Sequence, residues 1–286
     1  MSIARKEVRF TKMHGAGNDY IYIDATRETP ENLPELSRRM SDPHFGIGSD
    51  GLVAVMPSDI ADFRMRMFNS DGSEAEMCGN ASRCIAKFVY EKGLTDKETV
   101  TLETLAGIKV LHLHVRDGIV ESVTVDMGAP VLEPASVPVL SRDPKLRLAE
   151  EETVDGRTYR ITGVSMGNPH GVIFVDDIND DLVLRQGPLL EVAPIFPAKA
   201  NIEFAEVLDR STIRMRVWER GTGETLACGT GACATAVAAV LNGLTDREVD
   251  VRLRGGTLHI RWDEESGHVF MTGPAAFICD GIFYLE

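Results

Sequence analysis

No stretch of this chain is apolar for long enough to cross a bilayer. The longest run, residues 232–241, is interrupted by Thr235 and falls far short of the roughly 20 residues that a spanning helix needs. Residues 1–12 carry scattered charges and no apolar core of signal-peptide length, so no leader is expected. Basic residues are outnumbered by acidic ones, 30 to 44, giving a net charge of −14. A broad phosphate-binding surface is therefore excluded and nucleic acid is a poor partner, although a local basic pocket for an acidic metabolite is not. There are five cysteines, an odd number without framework spacing, which fits a reducing cytoplasm better than a secreted disulfide scaffold. No Cys-x-x-Cys occurs, no Cys/His cluster supplies a zinc site, and Gly221-Thr222-Gly223 and Gly229-Thr230-Gly231 lack the Lys-Ser/Thr of a phosphate loop. No metal or cofactor is called for.

What the chain does contain is itself, twice. Arg64-Met65-Arg66-Met67-Phe68 aligns with Arg214-Met215-Arg216-Val217-Trp218, and Cys78-Gly79 with Cys228-Gly229, 150 residues on (228 − 78). Gly93-Leu94-Thr95-Asp96 recurs as Gly243-Leu244-Thr245-Asp246, and Gly17-Asn18 as Gly167-Asn168, at the same offset. Four islands in one register imply two copies of one unit. With 286 residues and 43% apolar side chains, each copy is long enough for a core of its own.

Both copies have the same plan. A Gly/Asn-rich turn precedes a β-branched strand (Tyr20-Ile21-Tyr22-Ile23; Val172-Ile173-Phe174-Val175). Helical stretches at 33–40 and, more weakly, 188–192 follow, then strands at 52–56 and 62–68, or 202–207 and 211–218. Each copy next reaches its cysteine through a glycine-bearing turn and starts a helix. In the first, Ala81, Cys84, Ile85, Phe88 and Val89 form one apolar face that ends at Gly93; in the second, residues 232–241 are apolar nearly all round and so belong in the middle of a domain. Strands at 109–115, 120–126, 259–262 and 268–271 complete the pattern. The expected class is α+β: two pseudo-symmetric repeat domains, each a strand-rich mixed sheet wrapped around a central helix. They span 1–127, completed by 275–286, and 128–274.

A cysteine at a helix N-terminus sits beside unpaired N–H groups and the positive end of the dipole, a setting that lowers a thiol pKa and favours thiolate. The same N–H groups suit a substrate carboxylate. Gly79 and Gly229 allow close backbone approach, and Asn80 and Thr230 add hydrogen bonds. A pseudo-two-fold axis would bring Cys78 and Cys228 to one cleft, a base on one side of a substrate and an acid on the other. Cys84, Cys233 and Cys279 read as inert packing, the usual state of free cysteine.

Five segments carry a family resemblance: His14-Gly15-Ala16-Gly17-Asn18-Asp19; Phe68-Asn69-Ser70-Asp71-Gly72-Ser73 leading to Met77-Cys78-Gly79-Asn80; Gly167-Asn168-Pro169-His170; Asn201-Ile202-Glu203-Phe204; and Trp218-Glu219-Arg220-Gly221 leading to Ala227-Cys228-Gly229-Thr230-Gly231. Over essentially its whole length the chain resembles diaminopimelate epimerase. The resemblance implies a cofactor-independent (PLP-independent) cytoplasmic isomerase that interconverts LL- and meso-2,6-diaminopimelate, for lysine and peptidoglycan precursors, and acts as a homodimer. It implies that Cys228 removes the α-proton of the LL isomer while Cys78 protonates the opposite face, the roles swapping in reverse. His170 and Glu219 are then auxiliaries that tune the thiols. Arg220 clamps the distal carboxylate, a bidentate task suited to guanidinium. Asn18, Asn69, Asn80, Asn168 and Asn201 bind substrate, with Gly79, Glu219, Gly229 and Thr230.

Two positions depart from the family pattern. Gly48-Ser49-Asp50 is followed by Gly51, where many members have glutamine, and Gly273-Pro274-Ala275 leads to Cys279-Asp280-Gly281, where some have a tyrosine used in dimer contacts. A racemase for another amino acid on the same fold and a thiol-redox protein are the rival readings. Movement of solvent deuterium into substrate would exclude the redox protein.

Overall fold

Strands begin where the sequence alternates and turn where glycine permits a left-handed backbone. Lys6–Gly15 folds back on Asn18–Asp24 through Ala16 and Gly17, whose φ angles are 55° and 87°, the double positive that a tight hairpin turn needs. The computed structural model describes residues 6–140 and 150–285, which separate into two units: residues up to Val125 together with those from Gly273, and Asp126–Thr272.

In the first unit Lys6–Gly15 pairs antiparallel with both Asn18–Asp24 and Ala276–Leu285. Asn18–Asp24 lies parallel to Gly51–Met56, which is antiparallel to Phe63–Asn69. Phe63–Asn69 continues parallel to Thr99–Thr104, and antiparallel partners Gly107–Arg116 and Ile119–Asp126 follow. Helix α1 (Leu33–Ser41) starts at Asn32, whose side chain accepts the Glu35 N–H, and has Pro34 in its first turn. Its buried face of Leu33, Leu36 and Met40 packs on Ile21, Ile23, Leu52 and Phe68. Helix α2 (Gly79–Glu91) packs against Lys6–Gly15, Asn18–Asp24 and Gly107–Arg116 and buries Ala81, Cys84, Ile85, Phe88 and Val89.

The second unit repeats the first, register for register. Pro169–Phe174 lies parallel to Asn201–Asp209 with Val172 opposite Glu203, as Tyr22 is opposite Val53. Ile202 faces Trp218 as Leu52 faces Phe68. Thr212–Glu219, Glu248–Leu253, Gly256–Trp262 and Val269–Gly273 then follow in the order of their counterparts, and Glu150–Val154 with Arg157–Ser165 forms the opening hairpin. A π-turn at Asp181–Gln186 runs into the short helix α3 (Gly187–Glu191). Buried Val183 and Leu190 occupy the places of Leu33 and Met40. Only the α3 part of this element is legible in the sequence.

Helix α4 (Gly229–Leu241) is the centre of its unit, surrounded by strands, and Ala232, Cys233, Ala234, Thr235, Val237, Ala238 and Ala239 are all buried. The two long helices even end alike. Leu94 N–H bonds Val89 O and Gly93 N–H bonds Tyr90 O, at 2.8 and 3.0 Å; Leu244 and Gly243 repeat this on Ala239 and Val240 at 2.9 and 3.0 Å. Gly93 and Gly243 have φ of 72° and 70°, the left-handed cap that favours glycine. Among the described residues no helix is long and apolar enough to cross a membrane.

Candidate active site

Cys78 and Cys228 are the N-cap residues of α2 and α4. Both have extended backbones, and their carbonyls take the first helical hydrogen bonds, from Ser82 and Ala232, each at 2.9 Å. The helix-start placement read from the sequence is what the structure has.

Cys78 is half-buried beside the Asn18 amide. Its S–H donates to Asn18 Oδ1 at 3.5 Å, and Asn80 Nδ2 donates to the same oxygen at 3.3 Å. Asn18 Nδ2 in turn bonds Asp50 Oδ2 at 2.7 Å. Burial and nearby Asp19 push the Asp50 carboxyl up, against the bonds it accepts. Asn80 is held from behind: its Oδ1 accepts from Arg83 Nη2 at 2.8 Å, and Arg83 is wholly buried. Asn69, at the end of its strand, donates to Ser73 Oγ at 3.0 Å. At Gly51 a side chain is excluded, because a Cβ there would stand 2.0 Å from Phe68 O and 2.9 Å from the Tyr20 ring. No glutamine fits at this position.

Cys228 has a different setting. It is buried, its sulfur accepts the Gly231 N–H at 3.4 Å, and Thr230 Oγ1 lies 3.5 Å away. Burial pushes its thiol well up, and the carboxylates of Glu219 and Glu203 push the same way, outweighing the Thr230 and Gly231 hydrogen bonds. This corrects the expectation that the helix terminus would lower the pKa: desolvation and two carboxylates outweigh the helix end. Burial also raises the Glu219 carboxyl, offset in part by a short hydrogen bond from Thr225 and by His170 and Cys228.

His170 is the second residue of strand Pro169–Phe174 rather than part of the turn, and it is wholly buried. Its Nδ1 is 2.7 Å from Glu203 Oε1 and its Nε2 is 3.0 Å from Asn168 Oδ1. Asn201 Oδ1 accepts the Arg220 backbone N–H at 2.9 Å, and its Nδ2 donates to Pro169 O at 2.9 Å. Its amide thus ties the strand to the Arg220 turn. Arg220 itself is exposed, with Nη1 on Ala198 O at 3.2 Å. Glu203 is absent from the residues singled out by sequence. Its signal was the repeat: the matching position is Val53, so a carboxylate stands where the first copy has an apolar core residue.

Of the remaining cysteines, Cys84 and Cys233 are buried as expected, and burial pushes Cys84 up to about 11. Cys279 is exposed on strand Ala276–Leu285, not packed.

Solved structures of the same architecture include an epimerase and a phenazine biosynthesis protein. A hydroxyproline epimerase from Agrobacterium vitis superposes with a TM-score of 0.72 at 17% identity, covering 100% of this chain and 93% of that one. A phenazine biosynthesis protein from Bacillus anthracis gives 0.67 at 19%, covering 98% and 100%. The chain thus shares one fold with an epimerase and a phenazine biosynthesis protein. Within it the chain belongs to the diaminopimelate epimerase family, whose sequence model matches residues 10–133 and 162–278. It is 56% identical to the diaminopimelate epimerase of Acetivibrio thermocellus over 96% of this chain and 98% of that one, and 55% identical to that of Desulfovibrio desulfuricans over 97% and 99%.

Proposed function

We propose that the chain interconverts LL- and meso-2,6-diaminopimelate by a two-base reaction that uses Cys78 and Cys228 and no cofactor. The observation that carries this reading is the pair of N-cap cysteines at equivalent positions of two repeats, in a chain of this family. An α-proton is very weakly acidic, so a thiolate removes it only where the developing charge is stabilised. Unpaired first-turn N–H groups, such as those that follow each N-cap cysteine, are donors of the kind that supply such stabilisation to an α-carboxylate. Inversion then requires the second thiol to deliver a proton to the other face of the same carbon.

The raised Cys228 thiol fits a resting enzyme in which Cys228 is protonated, ready as the acid of the meso-to-LL direction. For the LL-to-meso direction Cys228 must first lose its proton, and Glu219, a carboxyl already raised by burial, is the group we assign to hold it. Arg220 takes the distal carboxylate, and Asn18, Asn69, Asn80, Asn168 and Asn201 bind the rest, with Gly79, Gly229 and Thr230 lending backbone and hydroxyl contacts. A homodimer, a cytoplasmic location and a place in lysine and peptidoglycan precursor synthesis complete the reading. The test is an amino-acid panel in D2O, read by mass spectrometry and chiral chromatography. Deuterium should enter diaminopimelate with inversion. Exchange on another amino acid alone would replace the substrate, and no exchange on any would remove the function.

A further inference from the structure

Helix α3 ends on a buried acid that the reaction as described does not use. Glu191 is its last residue, and each carboxyl oxygen accepts from a group that can only donate. Oε2 takes the Trp218 indole N–H at 2.9 Å, and Oε1 takes the Gly221 backbone N–H at 3.1 Å. The two donors stand on either side of Glu219 and Arg220 in the chain. The neighbouring N–H, that of Arg220, goes to Asn201 Oδ1 at 2.9 Å. Lys199 Nζ also approaches Oε1, at 4.0 Å.

The main chain of Glu191 serves the other surface that Arg220 touches. Its carbonyl accepts the Ala200 N–H at 3.2 Å, closing the loop in which Ala198 O accepts from Arg220 Nη1 at 3.2 Å. One residue thus ties down the turn that carries the guanidinium and the loop against which it lies. Helix α3 comes close enough because Gly187 has no side chain: a Cβ there would stand 2.9 Å from Trp218 Cβ.

The first unit shows that the fold needs a brace here but not this one. At the positions of Glu191, Trp218, Arg220 and Gly221 it has Ser41, Phe68, Ser70 and Asp71. There α1 holds the matching turn with donors. Ser37 Oγ reaches Phe68 O and Asn69 O at 3.2 and 2.8 Å, and Arg38 Nε reaches Asp71 O at 2.7 Å. The clamp made of an acceptor, with an indole N–H on one of its oxygens, occurs in the copy whose turn bears arginine.

We propose that Glu191 is a positioning residue for substrate recognition: by holding the Trp218 indole and the Gly221 N–H it fixes the turn between them, and so sets where the Arg220 guanidinium meets the distal carboxylate. The inference rests on the assignment of Arg220 to that carboxylate made above. A guanidinium pairs with a carboxylate through two bonds only over a narrow range of positions, so a loosened turn costs binding. Glutamine at 191 keeps the size but offers one acceptor where two donors meet it. Its NH2 must face one of the N–H groups, and that side of the clamp opens.

Two measurements test this, and they fail independently. The chain has two tryptophans, so a 15N-labelled sample shows two indole signals, that of Trp218 being the one lost in Trp218→Phe. Trp262, which donates to Gly267 O, is the internal control. The Trp218 indole proton should exchange with D2O about tenfold faster in Glu191→Gln than in wild type, with Trp262 unchanged. Equal exchange at Trp218 in the two proteins overturns the clamp. The second measurement is a double-mutant cycle of Glu191→Gln with Arg220→Ala. Alone, Glu191→Gln should raise KM for diaminopimelate about three- to tenfold, with a smaller change in kcat. Once Arg220 is alanine, the same change should raise KM by less than about twofold. An effect of equal size in both backgrounds would mean a general loosening, and a lower KM would mean that the carboxylate acts only through its charge; either overturns the proposal. Should Glu191→Gln not fold, Trp218→Phe takes its place in the cycle with the same expected pattern, since the first unit holds Phe68 at that position. An Arg220→Ala variant with unaltered KM would count against the assignment of Arg220, while the indole exchange still reports whether the clamp exists.

Discussion

Cys78 and Cys228 cap helices of 13 residues each with nearly the same backbone, φ/ψ −138°/122° and −118°/109°, yet they have opposite chemical surroundings. Amides of Asn18 and Asn80 attend the first. Burial and two carboxylates attend the second. The repeat supplies the geometry twice, and substitutions at equivalent positions (Tyr20 and His170, Val53 and Glu203, Asn69 and Glu219) make the two thiols different. A two-base enzyme needs such a difference, because one thiol must hold a proton while the other lacks one.

Serine in place of either cysteine should lower kcat at least about a thousandfold, since a hydroxyl is far too weak an acid to take the thiolate's part. Each variant should fold, with a melting temperature within a few degrees of wild type. Turnover at the wild-type rate by either would remove that cysteine from the reaction.

The environment of Cys228 makes a further prediction. A nearby carboxylate disfavours the thiolate, so Glu219→Gln should lower the Cys228 pKa and speed its alkylation by iodoacetamide at pH 8, while alkylation of Cys78 changes little. The readout is peptide mapping over time. Slower alkylation at Cys228 in the variant would contradict the electrostatic account.

The repeat, the helix starts and most strands are legible in the sequence because each rests on local pattern: alternation, an apolar helix face, a glycine stop. The π-turn at Asp181–Gln186 is not, since its backbone follows from packing Val183 where Leu33 packs in the other unit. Nor is the state of Cys228. Glu203 and Glu219 are distant in sequence and reach the thiol only through adjacent strands, so a local rule for helix ends gives the wrong sign. His170 could be suspected from its motif, but its partner Glu203 needs the two copies to be read against one another.

Gly51 offers a test of packing. With a Cβ 2.0 Å from Phe68 O, Gly51→Ala should destabilise the protein by about 1–3 kcal/mol, as overpacking generally does. Denaturant unfolding measures this, and an unchanged midpoint would mean that the strand pairing there is looser than it stands.

Arg220→Ala should impair turnover of diaminopimelate about 10- to 100-fold, matching a charge-assisted bond of about 1.5–3 kcal/mol. Proton exchange on any short amino acid the enzyme accepts should change much less. Equal losses on long and short substrates would move Arg220 from the distal carboxylate to the reacting centre.

Stability should fall at alkaline pH. Burial pushes Cys84 up to about 11 from an ordinary 9.0, so the unfolded chain loses this proton first. The stabilisation is complete below pH 9 and is lost as pH rises toward 11, at about 1.4 kcal/mol per pH unit. Cys228, also raised, acts in the same direction. Urea midpoints between pH 8 and 11 should show the slope, and Cys84→Ala should flatten it. A slope unaffected by that variant would place the titration elsewhere.

The central claim, that two different groups handle the proton, is tested most directly by converting LL-diaminopimelate in D2O and examining both pools at a few per cent conversion. With Cys228 as base and Cys78 as acid, the meso product should carry one solvent deuterium at the inverted carbon while unreacted LL substrate remains essentially unlabelled. Deuterium entering the recovered substrate as fast as the product, or a product that retains the original proton, would mean a single group serving both faces and would contradict the two-thiol account.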